Sequence, residues 1–159
     1  MMFLPDKICY HSHMALVTNK KVNFDYEILE KFEAGISLLG NEVKSVRNGQ
    51  ATLAGGHVSI RGNEAFLLQV HIPPYQVKNT SPDYDPDRPR KLLLNAKEIR
   101  QISRQLENRG LTLVPISLYN KGRNIKCEVA LVRGKKKFDK RESLKKRDVN
   151  RELQRDFKR

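Results

Sequence analysis

Alternating apolar and polar positions dominate the middle of the chain. Between Phe24 and Gly40, apolar residues recur at every second position with one parity, which predicts one long, bent strand or two shorter strands with one buried face. Residues 57–72 and 111–134 alternate in the same way, and each run is interrupted by a polar turn that contains glycine. We predict a hairpin for each run, and a short strand or helix lead-in around Leu92–Leu94.

A first short helix is predicted in the stretch "GNEVKSVRNG", residues 40–49. Val43 and Val46 are three positions apart, which suits a helix rather than a strand. Asn41 can cap the start of this helix, and Asn48-Gly49 provides a left-handed stop. The interpretation places Lys44 and Arg47 on the outer face, together with Glu42.

The clearest helix is predicted between residues 95 and 110. Ile99, Ile102 and Leu106 lie on one face at helical spacing. Asn95, followed three residues later by a glutamate, resembles a capping box, and Gly110 provides a stop.

About six strands with two or three short helices predict a mainly β fold, an OB-like antiparallel barrel with a basic C-terminal tail. The alternation stops near Gly134, where a run of charged residues begins. We therefore expect a flexible arm over residues 1–18, the barrel over 19–133 and the tail over 134–159.

The net charge of +13 is concentrated at one end of the chain. Residues 133–159 contain 13 Lys/Arg against 5 Asp/Glu, a surplus of 8 positive charges. Such asymmetry points to a polyanionic partner, and the lack of a strongly apolar face favours RNA or DNA over a membrane. Smaller basic groups occur at Lys44 and Arg47, at 88–91, and at Lys121 and Arg123.

Several functional classes find little support in the residues. No stretch could span a membrane, the N-terminus does not resemble a signal peptide, and two cysteines do not make a disulfide framework, so we expect a cytoplasmic protein. The aspartates at 83, 85 and 87 lack the glycine and final glutamate of a calcium loop, and Cys9, His11 and His13 lack a fourth zinc ligand. We expect no metal and no cofactor.

Five stretches in unchanged order resemble the SsrA-binding protein family, also called small protein B. They are "FEAGISLLGNEVKSVRNGQ", "EAFLLQVHIPPY", "RKLLLN", "TLVPISLY" and "GKKKFDKRE". The resemblance implies an OB-like barrel that binds the tRNA-like part of transfer-messenger RNA and accompanies that RNA to ribosomes stalled on messages without a stop codon. It also implies a monomer that is not an enzyme. Two alternatives remain open: a general OB-type nucleic-acid or ribosomal protein, and a nuclease that uses His71 or the loop Asp83–Asp87.

The resemblance also assigns residues to two surfaces. The side expected to face the tRNA-like RNA comprises Glu42, Lys44, Arg47, Arg90, Lys91, Asn95 and Lys126. The part expected to contact the ribosomal decoding region comprises Gly134, Lys135, Lys136, Phe138, Asp139, Lys140, Arg141, Lys145, Lys146 and Arg147.

The tail carries its own structural expectation. Phe138 is expected to stack on a ribosomal base. Val149, Leu153 and Phe157 form one narrow apolar stripe, so we expect the tail to become helical only in an RNA-lined channel.

Overall fold

The computed structural model describes residues 15–76, 78 and 80–136. Within these residues the chain forms seven strands and three helices. Their bounds in chain order are β1 Ala15–Thr18, α1 Val22–Asp25, β2 Tyr26–Ile36, α2 Gly40–Arg47, β3 His57–Arg61, β4 Glu64–Leu68, β5 Arg90–Leu93, α3 Ala96–Leu106, β6 Leu111–Lys121 and β7 Asn124–Gly134.

Six strands form a closed ring of hydrogen-bonded neighbours. Going round the ring the order is β6, β3, β4, β5, β2 and β7, and pairing of β7 with β6 closes it. Every pairing is antiparallel, and β1 joins from outside by pairing with β6. The prediction of a mainly β, OB-like fold with about six ring strands is confirmed.

The elements follow from the alternation and helical spacing of the sequence. β2 is a single strand whose register shifts between Ile28 and Glu30. The two predicted hairpins are β3–β4 and β6–β7. Gly49 has a φ of 72°, as expected for the left-handed stop after α2.

The interior of the ring holds one continuous apolar core. Helix α2 contributes Val46 and helix α3 contributes Ile102, both fully buried, so the two helices are anchored through the apolar faces that their spacing predicted. The strands contribute most of the rest, including Ala34, Val58, Leu67, Leu92, Leu113, Leu118, Cys127 and Val129. Burial raises the pKa of the Cys127 thiol to about 12, so it is an unreactive core residue.

Several boundaries differ from the expectations. Residues 15–18, expected within a flexible arm, form strand β1, and α1 was not predicted. Helix α2 begins at Gly40, so Leu39 rather than Asn41 occupies the N-cap position, although the Asn41 Oδ1 accepts from the Glu42 backbone N–H at 2.9 Å. Helix α3 ends at Leu106, because the chain turns before Gly110 to enter β6.

Candidate nucleic-acid interface

One row of side chains crosses the outside of the ring on neighbouring strands. Leu93 of β5 lies opposite Gly35 of β2, Gly35 lies opposite Lys126 of β7, and Lys126 lies opposite Tyr119 of β6. Directly paired residues in a sheet point to the same face. We call these four residues the outer row.

Two side chains of the outer row, those of Leu93 and Lys126, reach the solvent. Leu93 is 58% exposed, the most exposed of the large apolar side chains that the structure describes. A Cβ at Gly35 would lie 3.1 Å from the Cβ of Leu93, so glycine leaves room for Leu93 on this face. The Lys126 side chain is half-buried and has no hydrogen-bond or ion-pair partner among the described residues.

A carboxylate borders the outer row. Glu33, two positions before Gly35, accepts hydrogen bonds from the Lys121 Nζ at 2.8 Å and from the Tyr119 hydroxyl at 2.5 Å. These hydrogen bonds, from Lys121 first and then Tyr119, lower the pKa of Glu33. Burial and the neighbouring Glu33 raise the pKa of Tyr119. Glu33 is therefore an ionised acceptor beside Lys126.

Asn95 and Lys91 extend this surface along β5. Asn95 is exposed, two positions after Leu93, and its backbone N–H donates to the Glu98 Oε2 at 2.9 Å, one half of the predicted capping box. Lys91 is also exposed, and it forms an ion pair with Glu64.

Lys44 and Arg47 lie on the exposed side of α2, as predicted. The Lys44 ammonium is 5.6 Å from the centre of the Tyr75 ring, a cation–π distance. The Arg47 Nη2 donates to the backbone oxygen of Arg123 at 3.2 Å, so α2 contacts the turn between β6 and β7.

The predicted position of Glu42 on the outer face of α2 is wrong. Its side chain is fully buried. Arg88 donates to both carboxylate oxygens, at 2.9 and 2.6 Å, and the Leu39 backbone N–H donates at 2.8 Å. The Nε of Arg90 donates to the Oε1 at 3.0 Å. These donors occupy the carboxylate, so Glu42 has no free face toward a ligand.

Arg90 is likewise buried rather than exposed, because it shares the inward parity of Leu92 in β5. Its Nη1 donates to the backbone oxygens of Val70 and Arg88, and its Nη2 donates to that of Pro86. We call Glu42, Arg88 and Arg90 the buried ion cluster.

The buried ion cluster keeps Glu42 ionised. Burial alone would raise the pKa of Glu42, but the hydrogen bonds from Arg88 and Leu39 and the charge of Arg90 outweigh it and lower the pKa. The cluster also ties the loop after β4 to α2, and the Ser45 hydroxyl adds a 2.6 Å hydrogen bond to the Pro73 oxygen.

The beginning of the predicted ribosome-facing segment lies within the described residues. Gly134 ends β7, and the following Lys135 donates its backbone N–H to the Asp25 oxygen and its Nζ to the Asn23 oxygen. Lys136 is exposed. The remaining predicted residues, from Phe138 to Arg147, lie outside the described part of the chain.

The structure places two residues beside the predicted ones that the sequence reasoning missed, Leu93 and Glu33. In the run Leu92–Leu94, alternation requires one leucine to face away from the core, which was an available signal for Leu93. Glu33 shares the outward parity of Gly35.

His71 and the aspartates at 83, 85 and 87, which were considered for catalysis, are exposed. The His71 Nδ1 lies 3.1 Å from an Asp87 carboxylate oxygen, on a side chain about half exposed. Within residues 15–136, apart from 77 and 79, no group of three or more His, Cys, Asp or Glu side chains is placed to hold a metal ion. No helix of that region is long and apolar enough to cross a membrane.

Comparison with known proteins points to one family. The family model described as "SmpB protein" matches residues 16–159. Proteins called SsrA-binding protein are similar over most of their length. The one from Roseiflexus sp. (strain RS-1) is 48% identical over 140 residues, which cover 88% of this chain and 89% of its own. The one from Microcystis aeruginosa (strain NIES-843) is 49% identical over 144 residues, which cover 91% of this chain and 94% of its own. The one from Syntrophobacter fumaroxidans is 50% identical over 137 residues, 86% of this chain and 84% of its own.

A solved structure shares both fold and sequence. It is described as "tmRNA-SmpB: a journey to the center of the bacterial ribosome", and its matching chain is 42% identical with a TM-score of 0.64. The match covers 76% of this chain and 84% of the other.

Proposed function

Because the chain belongs to the SmpB family, we propose that it binds transfer-messenger RNA and acts with it in trans-translation on stalled ribosomes. The RNA then supplies the reading frame that tags the unfinished peptide for proteolysis. The partners are that RNA and the ribosome.

The outer row carries the proposal for the tRNA-like part of the RNA. Together with Glu33 at its border, it offers an exposed apolar contact at Leu93, a cation at Lys126 that has no ion pair among the described residues, and an ionised acceptor. Lysine contacts phosphate, a carboxylate accepts hydrogen bonds from base amino groups or a 2′-hydroxyl, and an apolar side chain packs on an unstacked base. Asn95 adds an amide at the edge of this surface.

The other predicted residues take different parts in this proposal. Lys44 and Arg47 are exposed and available for phosphate. Lys91 contributes if the RNA displaces Glu64. Glu42 and Arg90 support the surface from inside through the buried ion cluster, and they do not touch RNA.

The tail completes the proposed function. We assign Lys135 and Lys136, and beyond them Phe138, Asp139, Lys140, Arg141, Lys145, Lys146 and Arg147, to contacts with the decoding region and the empty messenger channel. Positive charge there suits an RNA-lined channel, and Phe138 supplies a ring for stacking.

Capture of RNA with the tagged full-length chain, followed by sequencing, tests this function. One dominant structured RNA with a tRNA-like portion is expected. A broad mixture without such an RNA supports a general nucleic-acid-binding protein instead.

We propose that the chain does not itself catalyse a reaction and works in the cytoplasm. Purified protein should leave RNA intact with or without divalent metal ions. Metal-dependent cleavage that is lost in His71→Ala would favour the nuclease alternative.

A further inference from the structure

Helix α3 presents a row of cations to solvent on the side opposite its buried residues. Lys97, Arg100 and Arg104 lie at i, i+3 and i+7, within one face of the helix, and all three are exposed. Ile99 and Ile102 face the core on the other side. We call the three cations the α3 stripe.

The α3 stripe lacks counter-charges within the described part of the chain. None of its three side chains lies within ion-pairing distance of a carboxylate of residues 15–136, as far as these are described, although Glu107 follows one turn after Arg104. The nearby Glu30 is contacted instead by two neutral amides, those of Gln101 and Gln105, at 2.8 and 3.1 Å.

The arrangement is unfavourable for the helix itself. Like charges three and four positions apart repel each other, and Lys97 stands in the first turn, where the helix dipole disfavours a cation. Arg104 stands in the last turn, where the dipole favours a cation, but helix stability gives no reason for Lys97 or for the like-charge spacing. A polyanion bound along the helix accounts for both features.

The stripe is continuous with the outer row. Asn95, the residue before α3, comes two positions after Leu93, so the helix leads away from the edge of the proposed RNA surface. From Lys97 to Arg104 the helix advances about 10 Å, which is long enough to reach several phosphates of a double helix.

We propose that the α3 stripe binds the phosphate backbone of a double-helical segment of the same RNA that contacts the outer row. The exposed positions of the stripe include no aromatic residue for stacking on unpaired bases, which favours a duplex backbone over a single strand. Its apolar residues are buried, which removes the apolar face needed to enter a membrane surface. The inference rests on the proposed function and adds the position of the RNA along α3.

The test compares two variants of the full-length chain with equal net charge. One carries Lys97→Gln, Arg100→Gln and Arg104→Gln, and the matched control carries Lys20→Gln, Lys21→Gln and Arg133→Gln, which remove three exposed cations elsewhere. Equilibrium binding to a tRNA-like RNA with its adjoining helix is measured over a range of salt concentrations. Thermal melts establish that both variants remain folded.

The α3 variant is expected to bind about tenfold or more weakly, with a salt slope smaller by about 3, while the control changes little. If the α3 variant keeps its affinity and salt slope while the wild-type chain prefers the tRNA-like RNA, the role of α3 is overturned and the proposed function is not. An acidic protein is then the alternative partner of the stripe. Equal losses in both variants overturn it too, because bulk charge would explain them. A wild-type chain without preference for the tRNA-like RNA contradicts the proposed function as well.

Discussion

Glu42 and Arg90 face each other inside the protein, with a carboxylate oxygen 2.9 Å from the Nη2 and both side chains fully buried. Arg88 joins them from the loop that precedes β5. Arg90 and Glu42 are out of water and Arg88 is partly buried, and these charges are stable there only because hydrogen bonds occupy their polar atoms. The buried ion cluster therefore fixes the loop between β4 and β5 against α2, and the surface above it presents Lys44 and Tyr75.

Replacing Glu42 with glutamine should destabilise the fold strongly. The variant leaves two arginines, one of them fully buried, without a counter-charge, so the free energy of unfolding should fall by about 3–5 kcal/mol. Urea denaturation at neutral pH measures this. Glu64→Gln breaks the exposed pair with Lys91 and should cost less than about 1 kcal/mol. Equal effects of the two substitutions would show that the buried ion cluster is not special.

The stability of the wild type should depend on pH through Glu42. The pKa of this carboxyl in the folded protein lies below that of a glutamate in an unfolded chain, about 4.3. The ionised group therefore stabilises the fold fully above that pH, and the contribution is lost as the pH falls through the lowered pKa. The difference in unfolding free energy between wild type and Glu42→Gln, measured from pH 7 to pH 3, should shrink in acid. A constant difference would contradict this assignment.

Gly56 should tolerate no side chain. A Cβ at this position would lie 2.6 Å from the Val70 Cγ2 and 3.2 Å from the Pro115 Cγ. Gly56→Ala is expected to lower the unfolding free energy by about 1–3 kcal/mol. Gly40→Ala is the matched control, because no described atom lies within 4 Å of its added Cβ, and it should be neutral or slightly stabilising. A melting temperature of Gly56→Ala equal to that of wild type would be inconsistent with this packing.

Alternation and helical spacing were sufficient for both hairpins, α2 and α3, because in each element one face enters the core, and they predicted β2 as strand without deciding between one strand and two. These patterns could not predict that Leu93 and Lys126 lie in one row, because this arrangement depends on how β2 pairs with β5 on one side and β7 on the other. Glu42 was placed outside because its helix position is compatible with exposure, and its arginine partners lie more than 40 residues away. A local pattern carries no information about such distant pairing.

Removal of residues 137–159 should separate the two proposed activities. The outer row and the core residues that the structure describes all precede position 137, so the shortened chain should fold and bind the tRNA-like RNA with nearly wild-type affinity. Tagging of stalled peptides in a reconstituted translation system should be lost. If truncation abolishes RNA binding while the melting temperature is retained, the division between ring and tail is wrong.

Equilibrium binding of the full-length chain to a tRNA-like RNA, compared with an unrelated duplex of equal length at the same salt concentration, tests the central claim most directly. The outer row predicts much tighter binding to the tRNA-like RNA. Lys126→Ala should weaken that binding about tenfold and reduce the salt slope by about 1, because one charge-assisted phosphate contact is lost. Equal affinity for the two RNAs, or wild-type affinity in Lys126→Ala, would contradict the assignment of the outer row as the RNA-binding surface.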